Sequence, residues 1–397
     1  MDINLILFDD RDQRADLLPL TFTRPISELR VGILKIREKW EHDLGSEAFF
    51  LTESYLGGRY PLKVSEYNLL VNASVCPDDD LIHAVRSLQP GQTLASDDIV
   101  IAQMMTRGQV ESDTSLTSST DSIHYEQTVR RINYPWDIFR LNGEELEQDF
   151  LRLTKGRKSA SLPSIVTVLG DHPVFIEADA VLSACTINAS RGPVYIGRDA
   201  EVMEGCLIRG PFSLGEHSIL KMGAKIYGPT TVGPHSRVGG ELNNVVIQGY
   251  SNKAHDGFLG QAVIGEWCNL GADTNNSNLK NTYDEVRMWN YREERFISTG
   301  LQFCGLIMGD HSKCGINTMF NTGTVVGVSS NIFGSGYQRN FIPSFSWGGP
   351  HGMQRYDLDK AMQVADSVMF RRGMKFDDVD RGIFRYLFNL TKYRPRN

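Results

Sequence analysis

Several things are missing from this sequence, and each absence removes a class of protein. No apolar run reaches the ~18 residues that a membrane-spanning helix needs, so nothing in the chain is expected to cross a bilayer. Net positive charge is missing too: the formal charge is −7, which argues against a nucleic-acid partner. Cysteine is sparse. Cys76, Cys185, Cys206, Cys268, Cys304 and Cys314 show neither a CxxC pair nor zinc spacing, and they read as reduced thiols of a cytoplasmic protein. A secretory leader is not expected, since MDINLILFDDRD sets aspartates directly behind a short apolar run. Asn4–Phe8 is read instead as a buried strand.

What the chain has is a period of six. Ile196, Val202, Ile208, Leu214, Leu220, Ile226, Val232 and Val238 follow one another at that interval, and the fifth position of most hexads is small: Ala200, Cys206, Ser218, Ala224, Thr230 and Ser236. This period fits neither an amphipathic helix nor an alternating strand. It fits a parallel β-helix in which three hexads make one triangular coil, the aliphatic residue points into the prism, and coils stack at about 4.8 Å. The pattern begins faintly at Ile176 and Leu182, slips by two residues at Phe258, Ile264 and Leu270, and resumes at Met308, Cys314, Phe320, Val326 and Ile332. About six coils are expected. Residues 279–300, dense in charge and aromatics, read as a corner insertion: a solvated hairpin, or a contact with a neighbouring subunit.

Around the hexads the chain divides into four parts. Residues 1–155 read as an α/β domain, with the strand Asn4–Phe8, a helix over 25–40, a second buried strand over 68–73, a Ser/Thr/Asp-rich loop over 107–122 and a helix over 143–153 capped by Asn142. Residues 156–164 are a linker, 165–340 the β-helix, and 341–397 a helical tail expected to cap the open end of the prism. His217, His235 and His311 each take the fourth position of a hexad, a solvated corner; corrected for the slip, His255 falls on the same corner. Three such rungs would hold the outer rings about 9.6 Å apart, too far for zinc ligands at most about 4.2 Å apart. No metal site is expected there.

Residues 253–278, KAHDGFLGQAVIGEWCNLGADTNNSN, resemble the acetyltransferase centre of the bifunctional enzymes that acetylate glucosamine 1-phosphate and then uridylylate it. That family carries a KA-x-H run, an aromatic-Leu-Gly, an Ile-Gly hexad, then Asn-Ile-Gly-Ala-Gly-Thr and a further Asn. The resemblance implies a fold of class α/β + β: a nucleotidyltransferase-like domain, a left-handed parallel β-helix of hexapeptide repeats, and a helical tail. It implies that His255 is the catalytic base, that Asn269 and Asn278 bind substrate, and that Ala272 belongs to the Gly-Ala pair whose backbone meets acetyl-CoA. Glu241 is a candidate to orient the ring or the sugar hydroxyls. Two departures bear on the acceptor sugar. Phe258 stands where the family has tyrosine, and Asn243-Asn244-Val245 replaces the basic pair on the sugar phosphate, leaving Arg237 or Lys253 for that contact. Independently of the name, acetyl transfer to an amine needs a group titrating near neutrality to take a proton and a fixed donor for the oxyanion. The asparagines also have a plainer role, because Asn269, Asn275, Asn276 and Asn278 tolerate the corner's positive φ.

The first domain resembles sugar nucleotidyltransferases. Arg14 matches the arginine that ends their phosphate loop, with Arg24 and Arg30 near enough in sequence to assist. Asp9, Asp10 and Asp12 replace glycines there and would repel a triphosphate, and Val71-Asn72-Ala73 lacks the metal-binding aspartate. The expected protein is a cytoplasmic homotrimer that takes acetyl-CoA as co-substrate, with Mg²⁺ if the first domain is active. It acts on an amino-sugar phosphate and a nucleotide in building nucleotide sugars for the cell envelope. The alternative is a scaffold trimer whose degenerate first domain only senses a sugar nucleotide.

Overall fold

In the computed structural model, which describes residues 4–96, 99–112 and 121–392, the six-residue period becomes a three-sided parallel β-helix. Two compact units are present: one holds the chain up to Leu17, Thr23–Leu29 and Leu34–Tyr134, the other Leu18–Phe22, Arg30–Ile33 and Pro135 onward.

The first unit is built on a six-stranded mixed sheet. Its strands run in the order Ala48–Leu51, Asn4–Phe8, Tyr67–Asn72, Ile99–Thr106, Thr93–Ser96 and Ser122–His124. Leu5, Ile6, Leu7 and Phe8 are all buried, as a strand covered on both faces requires. The helix expected over 25–40 is not continuous: a 3₁₀ turn covers Ile26–Glu28 and the α-helix is Ile36–Leu44. Between them Gly32 takes φ +81° and Arg30 belongs to the other unit, where its N–H donates to Gln248 Oε1 at 2.6 Å. Tertiary hydrogen bonds override the helical spacing of Leu29, Ile33 and Ile36. Within the expected loop, Arg107–Ser112 is helical; residues 113–120 lie outside the described residues.

The second unit holds the prism. Its first face stacks Ile176, Ile196, Leu214, Val232, Ile247, Ile264, Met308, Val326 and Ile342 in register, nine rungs against the six or so coils that the repeat suggests. The third face stacks Ile187, Ile208, Ile226, Leu242 and Leu259. The second face stacks Leu182, Val202, Leu220 and Val238, then Lys253, then Leu270, Cys314 and Ile332. All six cysteines are buried and free, and burial pushes the Cys268 and Cys304 thiols up to about 12.

The outer side of the first face is covered by the chain itself. The helix Pro135–Thr154 starts well before the expected Asn142 cap, so Asn142 sits mid-helix. Its Oδ1 accepts from Gly32 N–H at 2.9 Å and from Thr231 Oγ1 at 3.0 Å. Phe150 meets Phe175 edge-on, and Phe175 stacks on Tyr195. The insertion forms an antiparallel hairpin, Arg287–Asn290 with Arg295–Ser298. Its Trp289 stacks on Phe341 at 4.3 Å and its Tyr291 meets Phe22 at 5.3 Å, so these aromatics bury against their own chain.

The helices of the tail lie along the side of the prism, while Met353, from the hairpin before them, packs on its core. Helices Leu358–Phe370 and Asp378–Leu390 follow the coil, and Phe376 and Phe384 pack on His311, with Phe384 and Phe388 on Phe345, along the corner between the first and second faces. The last second-face strand, Ser346–Gly349, pairs instead with Gly352–Arg355 in an antiparallel hairpin. Among the described residues no helix is long and apolar enough to cross a membrane.

Candidate active site

The slip in the repeat is a change in coil length. Leu214 pairs with Val232 eighteen residues on, but Val232 pairs with Ile247 after fifteen and Ile247 with Ile264 after seventeen. Shortened coils move every later corner. The ring after His217 and His235 on the corner following the first face is therefore Tyr250, then Trp267 and His311, each at positive φ. These rings stack at 4.8, 4.7, 4.3 and 6.1 Å in turn. His255 is not on that corner. It lies on the next one, between the second and third faces, directly after the strand Asn252–Lys253.

Along this second corner runs an open cleft of about 440 Å³ that crosses five coils: Met203, then Lys221 and Met222, then Gly239 and Gly240, then Ala254 to Asp256, then Ala272 and Asp273. The glycines make it. A Cβ on Gly240 would lie 2.7 Å from the Gly257 carbonyl oxygen, and the residue holds φ +73°, so the chain can pass only without a side chain. His255 and Asp256 are exposed on one side of that gap. Asp273 N–H donates to the Asp256 carbonyl at 3.1 Å, which ties the two rungs that carry His255 and Ala272.

Lys253 does not face a substrate. It is 2 % exposed and points into the prism at a position that is aliphatic in Val238 and Leu270. Its ammonium donates to the carbonyls of His255 at 2.5 Å, Asp256 at 3.0 Å and Gly239 at 3.1 Å. Burial pulls its pKa down to about 8, with Asp256 and Asp273 opposing. Lys253 is thus removed from the candidates for the sugar phosphate.

The other sequence candidates spread around the coil. Ala272 lines the cleft with His255. Glu241 follows Gly240 onto the third face, and its N–H donates to Gly257 O at 3.1 Å. Arg237 and Asn269 sit on the outer side of the second face, in a row with Asn252 and Lys313. Arg372, from the tail, donates to Asn252 Oδ1 at 3.2 Å. Asn278 is further off, at the third face, where its amide donates to Gln261 Oε1. Asn276, at an inward third-face position, pairs with both backbone groups of Gly260, at 2.8 and 3.0 Å. Sequence reasoning missed Lys221, Met222, Asp256 and Asp273. The available signal was adjacency in the chain, since Asp256 follows His255 and Asp273 follows Ala272.

In the first unit Arg14 and Arg24 are buried. Arg14 Nη1 lies 2.7 Å from Asp9 Oδ2 and 2.9 Å from the Arg24 carbonyl, and its other Nη is 3.2 Å from the Tyr55 hydroxyl. Asp9 also accepts from Ile26 N–H at 2.9 Å and from Thr52. The guanidinium expected on a triphosphate is engaged within the fold, and so is that of Arg30, on Gln248 O at 3.2 Å. Nor does Mg²⁺ fit here: Asp9 is engaged, and Asn72 closes the third strand with its amide bound to Ser74 and Val100.

Residues 5–158 match the family model of sugar nucleotidyl transferases. Among curated proteins, a bifunctional sugar-1-phosphate nucleotidylyltransferase/acetyltransferase of Sulfurisphaera tokodaii is 35% identical over 145 residues, which is 36% of this chain and 36% of that one. A bifunctional protein GlmU of Methanococcus aeolicus is 34% identical over 92 residues, 23% of this chain and 22% of that one. The matches thus span about a third or less of these relatives' length. Among solved structures, the polySia specific acetyltransferase NeuO aligns over 48% of this chain and 85% of its own, at 13% identity and a TM-score of 0.28. UDP-N-acetylglucosamine acyltransferase from Campylobacter jejuni aligns over 54% and 95%, at 14% identity and a TM-score of 0.20.

Proposed function

We propose that this protein transfers the acetyl group of acetyl-CoA to the amine of an amino-sugar phosphate of the glucosamine 1-phosphate type. The first domain would handle the matching nucleotide sugar, of the UDP-N-acetylhexosamine type. The observation that carries this reading is the exposed His255 imidazole at the mouth of the Gly239–Gly240 cleft, within the segment that resembles an acetyltransferase centre. The name of the Sulfurisphaera tokodaii relative, which pairs the two activities, supports it.

In this reading the amine nitrogen attacks the thioester carbonyl, His255 takes the proton that the nitrogen sheds, and the C–S bond breaks to release CoA. Backbone N–H groups at the corner supply the fixed donors that the oxyanion needs. Met203 and Met222 give the cleft an apolar end and Lys221 a cation for a phosphate. A homotrimer is part of the proposal: Met222 is 70 % and Ile316 71 % exposed along the cleft corner, a surface that a neighbouring prism would cover. A thiol-release assay with acetyl-CoA and glucosamine 1-phosphate tests it. CoA release that depends on the amine supports the reading, and none with any amino-sugar phosphate removes it.

A second reading applies to the first domain alone. The Asp9–Arg14 pair and the engaged Asn72 favour a domain that holds a nucleotide sugar without transferring nucleotidyl groups. Incubation with UTP, Mg²⁺ and N-acetylglucosamine 1-phosphate separates the two, since pyrophosphate release would mean transfer.

A further inference from the structure

One residue near the cleft has no role in the function proposed above, and its surroundings are unusual. The second face is aliphatic on both sides of Lys253, so a lysine in that column puts an ammonium where methyl groups would pack. Such burial is costly unless the charge is fully hydrogen-bonded. Here it is: all three protons have acceptors, the carbonyls of Gly239, His255 and Asp256. These belong to two different coils. Gly239 is in the glycine pair that opens the cleft, and His255 and Asp256 form its rim. The coil is short at the Gly239 turn, where Val238 to Leu242 spans four residues against the six from Leu220 to Ile226, and the Asp256 carbonyl is shared with Asp273 N–H at 3.1 Å.

We propose that Lys253 is a positioning residue for His255: from inside the prism its ammonium pins the Ala254–Gly257 turn to the Gly239 loop and so fixes where the imidazole enters the cleft. This rests on the reading of His255 as general base. Lys253 touches no substrate, since its side chain is sealed in the coil. A methionine or leucine at 253 would fill the column and suit the prism, yet release the turn.

The test uses the full-length chain with acetyl-CoA and glucosamine 1-phosphate as probes, comparing Lys253→Met, Lys253→Leu, His255→Ala and the double variant Lys253→Met/His255→Ala. If Lys253 acts through His255, each lysine variant folds and loses about 10²-fold in kcat, the scale of a catalytic group misplaced by about 1 Å, with both KM values changed less than about threefold. The double variant is then no slower than His255→Ala alone. Backbone amide exchange rises at 254–258 and 239–240, and stays unchanged at the distant rungs around Leu214. Additive losses in the double variant, or an unaltered kcat in both lysine variants while His255→Ala is slow, overturn the proposal. Should His255→Ala itself leave the rate intact, the general-base reading fails instead, and unchanged exchange at 254–258 in Lys253→Met would then overturn the pinning as well. Should neither lysine variant fold, exchange on the wild type decides: amides of 254–258 as protected as their neighbouring strands support the pinned turn, and unprotected ones overturn it.

Discussion

Lys253 stands opposite Val238 on the second face, and its ammonium lies 2.5 Å from the carbonyl oxygen of His255. A charge at an aliphatic rung makes stability depend on pH in a definite sense. The folded pKa is pulled down to about 8 from 10.5. Below pH 8 both states carry the proton and the burial penalty is complete. Between about 8 and 10.5 the unfolded chain holds a proton that the folded chain has released, so folding becomes more favourable as pH rises. Measured against Lys253→Met, wild-type stability should climb by about 3 kcal/mol across that window. Urea midpoints of both proteins at pH 7, 8, 9 and 10 check it, and a pH-independent difference contradicts it.

Arg14 is predicted to behave as a structural residue. Replacing it with alanine strands Asp9 in a buried site and should cost about 3–5 kcal/mol of stability, whereas Arg11→Ala, at an exposed position of the helix Arg11–Asp16 that carries Arg14, should stay within about 0.5 kcal/mol. Chemical denaturation reads both. An Arg14→Ala chain of normal stability that had lost only nucleotide binding would restore the phosphate-contact reading.

Asn142 is predicted to be worth more than its place on a helix suggests. Asn142→Ala leaves the Gly32 N–H and the Thr231 hydroxyl without their acceptor in a buried site, at about 1–3 kcal/mol for each group. Glu144→Ala, exposed two residues along, is the control and should be close to neutral. Equal effects for the two would mean that the contact is not a significant tie.

The sequence period alone was enough for the prism, because each aliphatic hexad position is dictated by the inside of the coil and recurs rung after rung. Counting residues failed where the coils shorten: His255, twenty residues after His235, counts onto the corner of His217 and His235 only if an eighteen-residue coil gains the two residues of the slip, whereas the Val232–Ile247 coil has fifteen. The sequence marks that loss only as a two-residue slip in the period. Lys253 misleads for a related reason. A lysine reads as a surface cation, and only the inward register of the shortened coil shows its ammonium holding three carbonyls. In the first unit Arg14 sits at the matching place in the motif, but whether a guanidinium meets a ligand or an Asp9 five residues away is decided by tertiary packing. The His255 segment was legible because its residues are specific in type and order, while the cleft's other side, Met203, Lys221 and Met222, comes from earlier coils that carry no motif.

The most direct measurement is kcat for acetyl transfer by His255→Ala beside His217→Ala and His235→Ala. As general base, His255 should cost about 10²- to 10⁴-fold when removed, with a smaller loss at high pH where more of the amine is already neutral. The other two histidines stack on a different corner and should leave the rate nearly intact. All three variants should keep the melting temperature and assembly of the parent. Equal, modest losses in the three, or unfolding of His255→Ala alone, would make His255 a structural residue of the coil and contradict the account.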